Sequence, residues 1–411
     1  MKNGWATKRL GDVAKTQYGL SEPMNEDGKG FKIFRMGEVQ DGRLIDTGRM
    51  KFANISRDEF EKYRLRLGDV LFNRTNSFEL VGKTGIFALT GDYCFASYLV
   101  RLNLDRKAVL PEFLNYFMNS DVFQTSVKEK ASQSINQANI NATILSNELI
   151  RFPESLAEQR RIVGILDEAF EGIATAKANA EQNLQNTRAL FESHLQSVFT
   201  QRGDGWDRMT LETLLERGWI EDHMDGNHGG DYPRKEEFIS EGVPYISANC
   251  VDGERVDMSR AKYLSPSRAG LLRKGFAKDN DVLFAHNATV GPIAILHTEE
   301  EKVVLGTSLT YYRCNRAHIL PEYLAHYMRS FGFKTQYLQV MRQSTRNQVP
   351  ITKQREFFHV IPPLDEQMGI IRQLDGLLEN GQRLESLYQR KLAALDELKK
   401  SLLHRAFSGK L

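Results

Sequence analysis

An internal repeat limits the folds open to this chain more than any other feature. LPEFLNYFMNS, beginning at Leu110, and LPEYLAHYMRS, beginning at Leu320, are nearly identical and lie 210 positions apart in a chain of 411 residues. The halves also share Gly-Trp starts at Trp5 and Trp206, Asp-Val-Leu-Phe segments and Glu-Gln openings of a long helix, in the same order at spacings of 201–212 residues. Accidental similarity within a single domain does not keep such an order, and the period is too long for a solenoid. The sequence therefore predicts a duplicated two-part unit with internal pseudo-two-fold symmetry.

The first part of each unit mixes strand and helix patterns. Short β-rich stretches such as DVLFNR and TGIFAL are interrupted by Gly, Asn and Asp, which is typical of strands joined by turns. The LPE segment predicts a helix, because proline is tolerated in a first turn, where Pro111 and Pro321 stand. Its expected core-facing residues are Phe113, Leu114, Tyr116, Phe117 and Met118. Each first part is therefore predicted to be a mixed α/β domain.

The second part of each unit predicts one long helix. In the first copy the expected seam is Leu166, Phe170, Ile173, Ala180, Leu184 and Phe191, with Lys177 and Thr187 at its polar places. In the second copy it is Leu377, Leu384, Tyr388, Leu395, Leu398 and Leu402, with Gly381 and Lys391. Alternating steps of four and three residues are heptad spacing. We expect the two helices to pack on each other as an antiparallel coiled coil; the alternative is that each packs only on its own domain.

The predicted fold class is therefore α+β, with two similar mixed α/β domains separated by two long helices. The expected bounds are 1–155 for the first domain, 156–203 for the first helix, 204–363 for the second domain and 364–411 for the second helix. Helices of roughly 35–45 residues would span roughly 50–65 Å. Two similar domains held apart on such a rod suit a target with two different halves and an unread gap. The same geometry suits two protein partners, so this alternative stays open.

Composition limits the class of partner and the compartment. The chain has 55 Lys and Arg against 53 Asp and Glu, so its formal net charge is only +2. DNA contact must then come from local patches on a nearly neutral body. Three cysteines without a CxxC pair and the absence of a signal-peptide pattern indicate a reducing cytoplasm, and no apolar run of membrane-spanning length is present.

The halves differ mainly in polar loops, which are the candidate DNA-contacting segments. Arg pairs with guanine edges, and Asn or Gln pairs with adenine edges. A single loop Asn is more often only a turn former, but the same loops are polar in both halves while their neighbours match. By sequence, Asn136-Gln137 and Asn347-Gln348 stand at matching places. The predicted DNA-binding residues are Arg35, Asn73, Arg74, Asn76, Ser134, Asn136, Gln137, Asn227, His228, Ser247, Asn249, His286, Asn287, Arg346, Asn347 and Gln348.

No catalytic or metal motif is expected in this chain. There is no Asn-Pro-Pro-Tyr methyltransferase motif, and Ser77 stands where a phosphate loop ending in Gly82-Lys83-Thr84 needs its first glycine. His223, Asp225, His228 and Asp231 carry possible metal ligands, but they lie in a Gly-rich loop without a known ligand framework. We therefore predict neither catalytic residues, nor a metal, nor a cofactor bound by this chain.

The ordered set of repeated motifs resembles the specificity subunit of a type I restriction–modification system. The resemblance rests on the Gly-Trp starts, the GDVLF and NDVLF segments, the LPEFL and LPEYL helices, the EQRRIV and EQMGII openings and the C-terminal HRAFSGKL, so it covers the whole chain. One departure is LETLLERGWI in the second half, which lacks the LGDV that begins at Leu10.

The resemblance implies a non-catalytic subunit that recognises double-stranded DNA with a split target. Each domain would read one half, and the helices would set the spacing and dock two methyltransferase subunits that carry S-adenosylmethionine, with restriction subunits in the full complex. The alternatives are a protein-scaffolding module with a coiled-coil spacer and an enzyme with an unrecognised site. The target bases do not follow from the sequence, because base readout depends on docking angle and DNA shape as well as on side-chain identity.

Overall fold

The computed structural model of the chain describes residues 4–134, 137–201, 203, 205–227, 232–343 and 346–411. In the first half the elements are β1 (Trp5–Arg9), α1 (Leu10–Val13), β2 (Ala14–Tyr18), β3 (Met24–Asn25), β4 (Phe31–Phe34), β5 (Val39–Gln40), β6 (Arg43–Leu44), β7 (Lys51–Ala53), α2 (Arg57–Tyr63), β8 (Val70–Asn73), β9 (Thr75–Asn76), β10 (Thr84–Ile86), β11 (Tyr93–Phe95), β12 (Leu99–Leu104), α3 (Pro111–Met118), α4 (Asp121–Glu129), β13 (Ser132–Ser134), β14 (Gln137–Asn139), α5 (Ala142–Asn147), β15 (Leu149–Pro153) and α6 (Leu156–Thr200).

The second half follows the same plan. Its elements are β16 (Asp207–Thr210), α7 (Leu211–Glu216), β17 (Ile220–Asp225), β18 (Phe238–Ile239), β19 (Val243–Ile246), β20 (Val251–Asp252), β21 (Arg255–Val256), β22 (Lys262–Leu264), α8 (Pro266–Gly270), β23 (Phe276–Ala277), β24 (Val282–Asn287), β25 (Thr289–Ile295), β26 (Val303–Leu305), β27 (Leu309–Cys314), α9 (Pro321–Arg329), α10 (Phe331–Arg342), α11 (Ile351–Gln354), β28 (Phe358–Ile361) and α12 (Leu364–Phe407). The mixed α/β class with two long helices is thereby confirmed.

Compactness divides the chain into two units, and each unit holds one mixed domain with parts of both long helices. Unit 1 is Met1–Glu181 with Gln389–Leu411, and unit 2 is Gln182–Tyr388. The first part of α6 and the last part of α12 thus belong to unit 1, and the remaining parts of both helices belong to unit 2. The bounds predicted from the sequence for the two domains and the two long helices remain a prediction.

Sheet topology repeats between the units. The large sheet of unit 1 has the strand order β2-β12-β8-β10-β6-β5, and that of unit 2 has the order β17-β27-β24-β25-β21-β20. In both sheets the Asp-Val-Leu-Phe strand, β8 or β24, lies centrally between two antiparallel neighbours. A second sheet holds a parallel pair in each unit, β4 with β11 and β19 with β26. The duplication predicted from the sequence is therefore present at the level of strand pairing.

The LPE helix is the core helix of each unit. In α3, Phe113, Leu114, Phe117 and Met118 are buried, and Tyr116 is half-buried. Phe407 of α12 packs edge-on against the rings of Phe113 and Phe117, with centroids 5.4 Å and 5.2 Å apart. In unit 2, Phe199 of α6 packs in the same way on Tyr323 and Tyr327 of α9. The helix repeated in the sequence is therefore scaffold.

A buried glutamine ties each long helix to the LPE helix of its unit. The Gln159 carboxamide accepts from Leu110 N–H at 2.8 Å and donates to the carbonyls of Ala108 at 3.0 Å and Pro153 at 2.8 Å. Gln367 makes the same contacts in unit 2, with Leu320 N–H, His318 O and Pro362 O. Both glutamines are fully buried. We call these two residues the glutamine latches.

The long helices run antiparallel within each unit. In unit 1, Arg161 donates to Leu411 O, and Lys177 forms an ion pair with Asp396. In unit 2, Arg188 pairs with Glu385 at 2.8 Å, and His194 lies 2.7 Å from Gln373. The antiparallel coiled coil is thus confirmed, with contacts to the domains as well.

The predicted seam is confirmed for α6 and wrong in part for α12. Leu166, Ile173 and Ala180 are buried in α6, but Leu384, Leu398 and Lys391 are exposed in α12. Their C-terminal neighbours, Glu385, Leu392 and Lys399, are the half-buried residues instead. The reason is that Glu385 and Lys399 have oppositely charged partners, Arg188 and Asp41, and long apolar stems, so their charges do not exclude them from the seam.

None of the helices in the described part of the chain is long and apolar enough to cross a membrane.

Candidate nucleic-acid interface

The candidate interface of unit 1 lies where the central strand β8 leaves its sheet. The chain bends at Arg74 and continues as β9, which pairs with β14, and β14 pairs with β13. Asn139 lies opposite Thr75, and its Nδ2 donates to Thr75 Oγ1 at 3.0 Å. The polar segments 73–76 and 132–139, far apart in sequence, are thereby brought into one small sheet wherever the structure describes them.

Arg74 holds this small sheet to the large one. Its guanidinium donates to Ser97 O at 3.2 Å and to Asn139 Oδ1 at 3.3 Å, and it lies 4.9 Å from the ring centroid of Tyr18. A guanidinium over an aromatic face adds a favourable cation–π interaction. Because both terminal nitrogens already donate within the protein, Arg74 orients the exposed residues of β13 and β14.

His286 occupies the same backbone position in unit 2. The carbonyl of Arg74 accepts from Ile140 N–H at 2.9 Å, and the carbonyl of His286 accepts from Val349 N–H at 2.8 Å. The His286 ring is buried, with its Nδ1 2.9 Å from Val349 O. One backbone frame therefore carries an arginine in unit 1 and a histidine in unit 2.

The loops match with a shift of two residues from the sequence comparison. Asn139 lies opposite Thr75 in unit 1, and Gln348 lies opposite Asn287 in unit 2. The amide residues at equivalent positions are therefore Asn139 and Gln348. Counting back two residues from this pair places Gln137 at the position of Arg346, whereas the sequence comparison set Gln137 against Gln348. The strand pairing, and not the local sequence similarity, sets the equivalence.

The unit 2 turn between β24 and β25 is held by Asn347. Ala288 adopts a left-handed backbone conformation with φ of 64°, its N–H donates to Asn347 O at 3.0 Å, and its carbonyl accepts from Asn347 Nδ2 at 2.5 Å. Left-handed geometry is uncommon for alanine, so these two bonds stabilise a strained turn. Asn347 is thus a positioning residue for Asn287 and Gln348, although its own side chain is exposed.

Exposure sorts the predicted contact residues into three groups. Exposed are Ser134, Gln137, Asn249, Arg346 and Asn347; half-buried are Arg35, Arg74, Asn76, Ser247, Asn287 and Gln348; buried are Asn73, Asn227 and His286. Asn136 and His228 lie outside the described residues. Only side chains of the first two groups can reach a base edge without a change in the fold.

The second polar segment of each unit follows the parallel strand β4 or β19. Arg35 precedes a short 3-10 turn, Met36–Glu38, and its guanidinium donates to the buried carboxylate of Glu38 at 2.8 Å. Ser247 precedes the equivalent turn, Ala248–Cys250, and its hydroxyl donates to Asn249 Oδ1 at 2.6 Å. Arg35 is therefore neutralised within the protein, while Asn249 remains exposed.

Besides His286, two predicted contact residues are internal. Asn73 is fully buried, and neither atom of its carboxamide has a hydrogen-bond partner. Asn227 is also fully buried, and its Nδ2 donates to Lys274 O at 2.8 Å. Burial of both side chains argues against direct contact with DNA.

The sequence interpretation missed Tyr18 and Asn139, which surround Arg74. Tyr18 is 43% exposed, and its hydroxyl accepts from Ala142 N–H at 3.0 Å. A polar residue paired across a ladder has no local sequence signal, since its partner Thr75 is 64 residues away. Of these two residues, only Tyr18 had a usable sequence signal, because it is an aromatic residue at the exposed end of a strand.

His223, a possible metal ligand by residue type, is buried in the core of unit 2. His223 Nε2 lies 3.2 Å from Gln354 Oε1, and burial lowers the pKa of its ring to about 4. Asp225 pairs with Lys274 at 2.5 Å. Among the described residues, no group of three or more His, Cys, Asp or Glu side chains could hold a metal ion, and His228 and Asp231 lie outside them.

Fold and site together define a duplicated chain in which two mixed domains present differing polar loops on one common frame, with paired long helices. Residues 2–186 match the family of the type I restriction modification DNA specificity domain. The likeness to type I specificity subunits that the sequence suggested is therefore confirmed.

Relatives and solved structures extend this likeness over the full length. The Methanocaldococcus jannaschii protein assigned as the MjaX type I restriction enzyme specificity subunit is 23% identical, over 99% of this chain and 93% of that protein. The EcoKI specificity subunit of Escherichia coli strain K12 is 27% identical over 46% of this chain and 40% of its own length. The HsdS subunit from Thermoanaerobacter tengcongensis shares the fold with a TM-score of 0.62 at 19% identity, covering 100% of this chain and 98% of the other. A chain from a type I R-M system, solved for complex assembly and conformational transition, gives a TM-score of 0.77 at 19% identity, with coverage of 100% and 99%.

Proposed function

We propose that this chain is the DNA sequence-recognition subunit of a type I restriction–modification complex, and that each unit reads one half of a split target. The observation that carries the proposal is the common frame at Arg74 and His286. The same backbone hydrogen bonds hold loops that carry different exposed side chains in the two units, such as Gln137 and Arg346. Two domains that read different short sequences require this combination of a common backbone scaffold and different exposed residues.

The chemistry of the exposed positions fits readout of base edges. Gln137 and Arg346 stand at equivalent places and are both exposed. A carboxamide pairs with the two major-groove groups of adenine, and a guanidinium pairs with those of guanine. Exposed lysines such as Lys83, beside the frame of unit 1, suit phosphate contacts, which position a protein without specifying sequence.

The helices are the proposed docking sites for two methyltransferase subunits. Leu384 and Leu387 of α12 are 41% and 50% exposed, and exposed apolar residues grouped on one helix favour a protein partner. In this proposal the chain is not catalytic. S-adenosylmethionine is bound by the methyltransferase partners, and restriction subunits complete the nuclease. The proposed compartment is the cytoplasm, consistent with free and buried Cys94, Cys250 and Cys314.

Two matched substitutions test the proposal. Gln137→Ala and Arg346→Ala remove equivalent exposed side chains from unit 1 and unit 2, and the exposed Lys107→Ala serves as control. Each variant, assembled with the methyltransferase, is used to select bound duplexes from a random DNA library. We expect each of the two variants to relax preference in one block of the target by about 1–3 kcal/mol, and to leave the other block unchanged. Equal loss in both blocks, or none, would contradict the assignment of one half to each unit.

A further inference from the structure

A cavity of about 1100 Å³ lies within unit 2, where its domain meets both long helices. Its walls are residues 187–192 of α6, residues 375–385 of α12, the turn between β20 and β21, and one face of α9. We call it the unit 2 cavity. None of the residues assigned above to DNA recognition lines it, so a role for this cavity is separate from base readout.

The lining of the unit 2 cavity is acidic. Seven carboxylates face three guanidiniums, which leaves a formal charge of −4 with neutral histidines. Arg188 is paired with Glu385, and Arg329 is paired with Glu254 at 2.7 Å. Glu192 and Glu379 make no ion pair within the described part of the chain. The cavity is therefore large enough and negative enough to favour a cationic group.

The equivalent place in unit 1 indicates which chemical group would fit the unit 2 cavity. There the cavity has only about 200 Å³, and Lys399 lies in its wall. The Lys399 amine is 3.7 Å from Asp41 and 5.4 Å from the ring centroid of Phe170. A lysine of the chain itself thus occupies the position between the turn after β5, the LPE helix and the long helices.

Three substitutions between the repeats account for the open cavity in unit 2. The glutamine latches set an offset of 208 residues between the long helices. At this offset Phe191 stands where unit 1 has Lys399, Leu378 stands for Phe170, and Gly381 stands for Ile173. The amine is lost and the side chains on α12 become smaller. At the same offset Glu192 stands for Lys400 and Glu385 stands for Lys177, so the wall also becomes acidic.

His326 supplies an independent indication that a donor is missing. Its side chain lines the cavity and is 2% exposed, and its Nε2 lies 2.8 Å from Asp375 Oδ1. Because a carboxylate only accepts, Nε2 carries the proton, and Nδ1 is then an acceptor. Nδ1 has no hydrogen-bond partner. This unsatisfied acceptor belongs to a residue of the cavity wall.

We infer that the unit 2 cavity is a docking site for a lysine- or arginine-bearing segment of a partner protein, which takes the place that Lys399 fills in unit 1. Because of this site, the two units differ in the partners that they bind, although their folds are alike.

Titration of the full chain with acetyl-tetralysine-amide tests the inference by calorimetry, without DNA. The double variant Glu192→Gln/Glu379→Gln removes two unpaired carboxylates, and Glu171→Gln, the exposed unit 1 counterpart of Glu379, is the matched control. We expect the double variant to bind the peptide about fivefold more weakly at about 0.05 M salt, and the control to stay within about twofold. Gln382→Lys, which adds an amine at the cavity wall, should also weaken binding.

Three outcomes would overturn the inference. They are equal weakening by the control, unchanged binding by both Gln382→Lys and the double variant, and a much higher affinity of the same residues for spermidine, which would indicate a site for a free polyamine. Melting temperatures of all variants separate loss of binding from loss of folding. Because no DNA is present, failure here would leave the proposed DNA recognition untouched.

Discussion

Replacement of the latch Gln159 by leucine is the most informative stability test of the fold. Leucine has similar volume and good helix propensity, so the change removes hydrogen bonds with little effect on packing. It leaves Leu110 N–H and the carbonyls of Ala108 and Pro153 without their partner. Each buried polar group left unsatisfied costs about 1–3 kcal/mol, and burial of the leucine offsets part of the sum. We expect the free energy of unfolding of unit 1 to fall by about 3–5 kcal/mol.

The loss should appear first at the start of the LPE helix. Urea unfolding measures its size, and hydrogen exchange read by mass spectrometry on peptides from residues 105–118 locates it. Gln367→Leu should transfer the same loss to unit 2, and the exposed Arg160→Leu should change stability by less than about 0.5 kcal/mol. A loss below about 1 kcal/mol for Gln159→Leu, or exchange that rises equally everywhere, would refute the latch.

Three further results are expected. Asn73→Ala should stabilise unit 1 by about 1 kcal/mol in urea unfolding, because it removes a buried carboxamide without partners; a loss above about 1 kcal/mol would contradict this. His223 and His359 are held neutral by burial, with pKa values of about 4, below the usual value of about 6.5, so protonation favours the unfolded chain. Stability of unit 2 should be full above about pH 6.5 and fall towards pH 4 by about 3 kcal/mol for each ring. A free energy of unfolding, measured in urea, that is independent of pH in this window would contradict it. Lys177→Glu and Asp396→Lys should each cost about 0.5 kcal/mol, and the exchanged pair should recover most of the loss; strict additivity in this double-mutant cycle would show that the ion pair contributes nothing.

Elements whose pattern is local could be predicted from the sequence. The LPE helix carries its proline, its apolar stripe and its repeat within one short segment, and its burial follows. The α6 seam is equally local, since Leu166, Ile173 and Ala180 are apolar or small at heptad spacing. Duplication added a second, independent copy of each signal.

Features that depend on distant partners could not be predicted. Leu384 and Leu398 fit the heptad spacing of the seam. Glu385 and Lys399 lie in the seam instead, because Arg188 and Asp41 neutralise their charges. The strand ladder, and not the similarity of QSINQANI to QSTRNQVPI, sets the equivalence of Gln137 with Arg346. Asn73 has the composition of a contact residue, yet it follows Leu71 on the inward face of its strand and is buried. Each of these errors concerns which side chain meets which neighbour across the fold.

Mapping of methylated bases tests the central claim most directly. DNA is taken from cells that express this chain with its methyltransferase, and every modified site is aligned. Recognition by two units predicts two short conserved blocks of different sequence, separated by an unread gap of constant length. One uninterrupted block, or a gap whose length varies from site to site, would contradict the account.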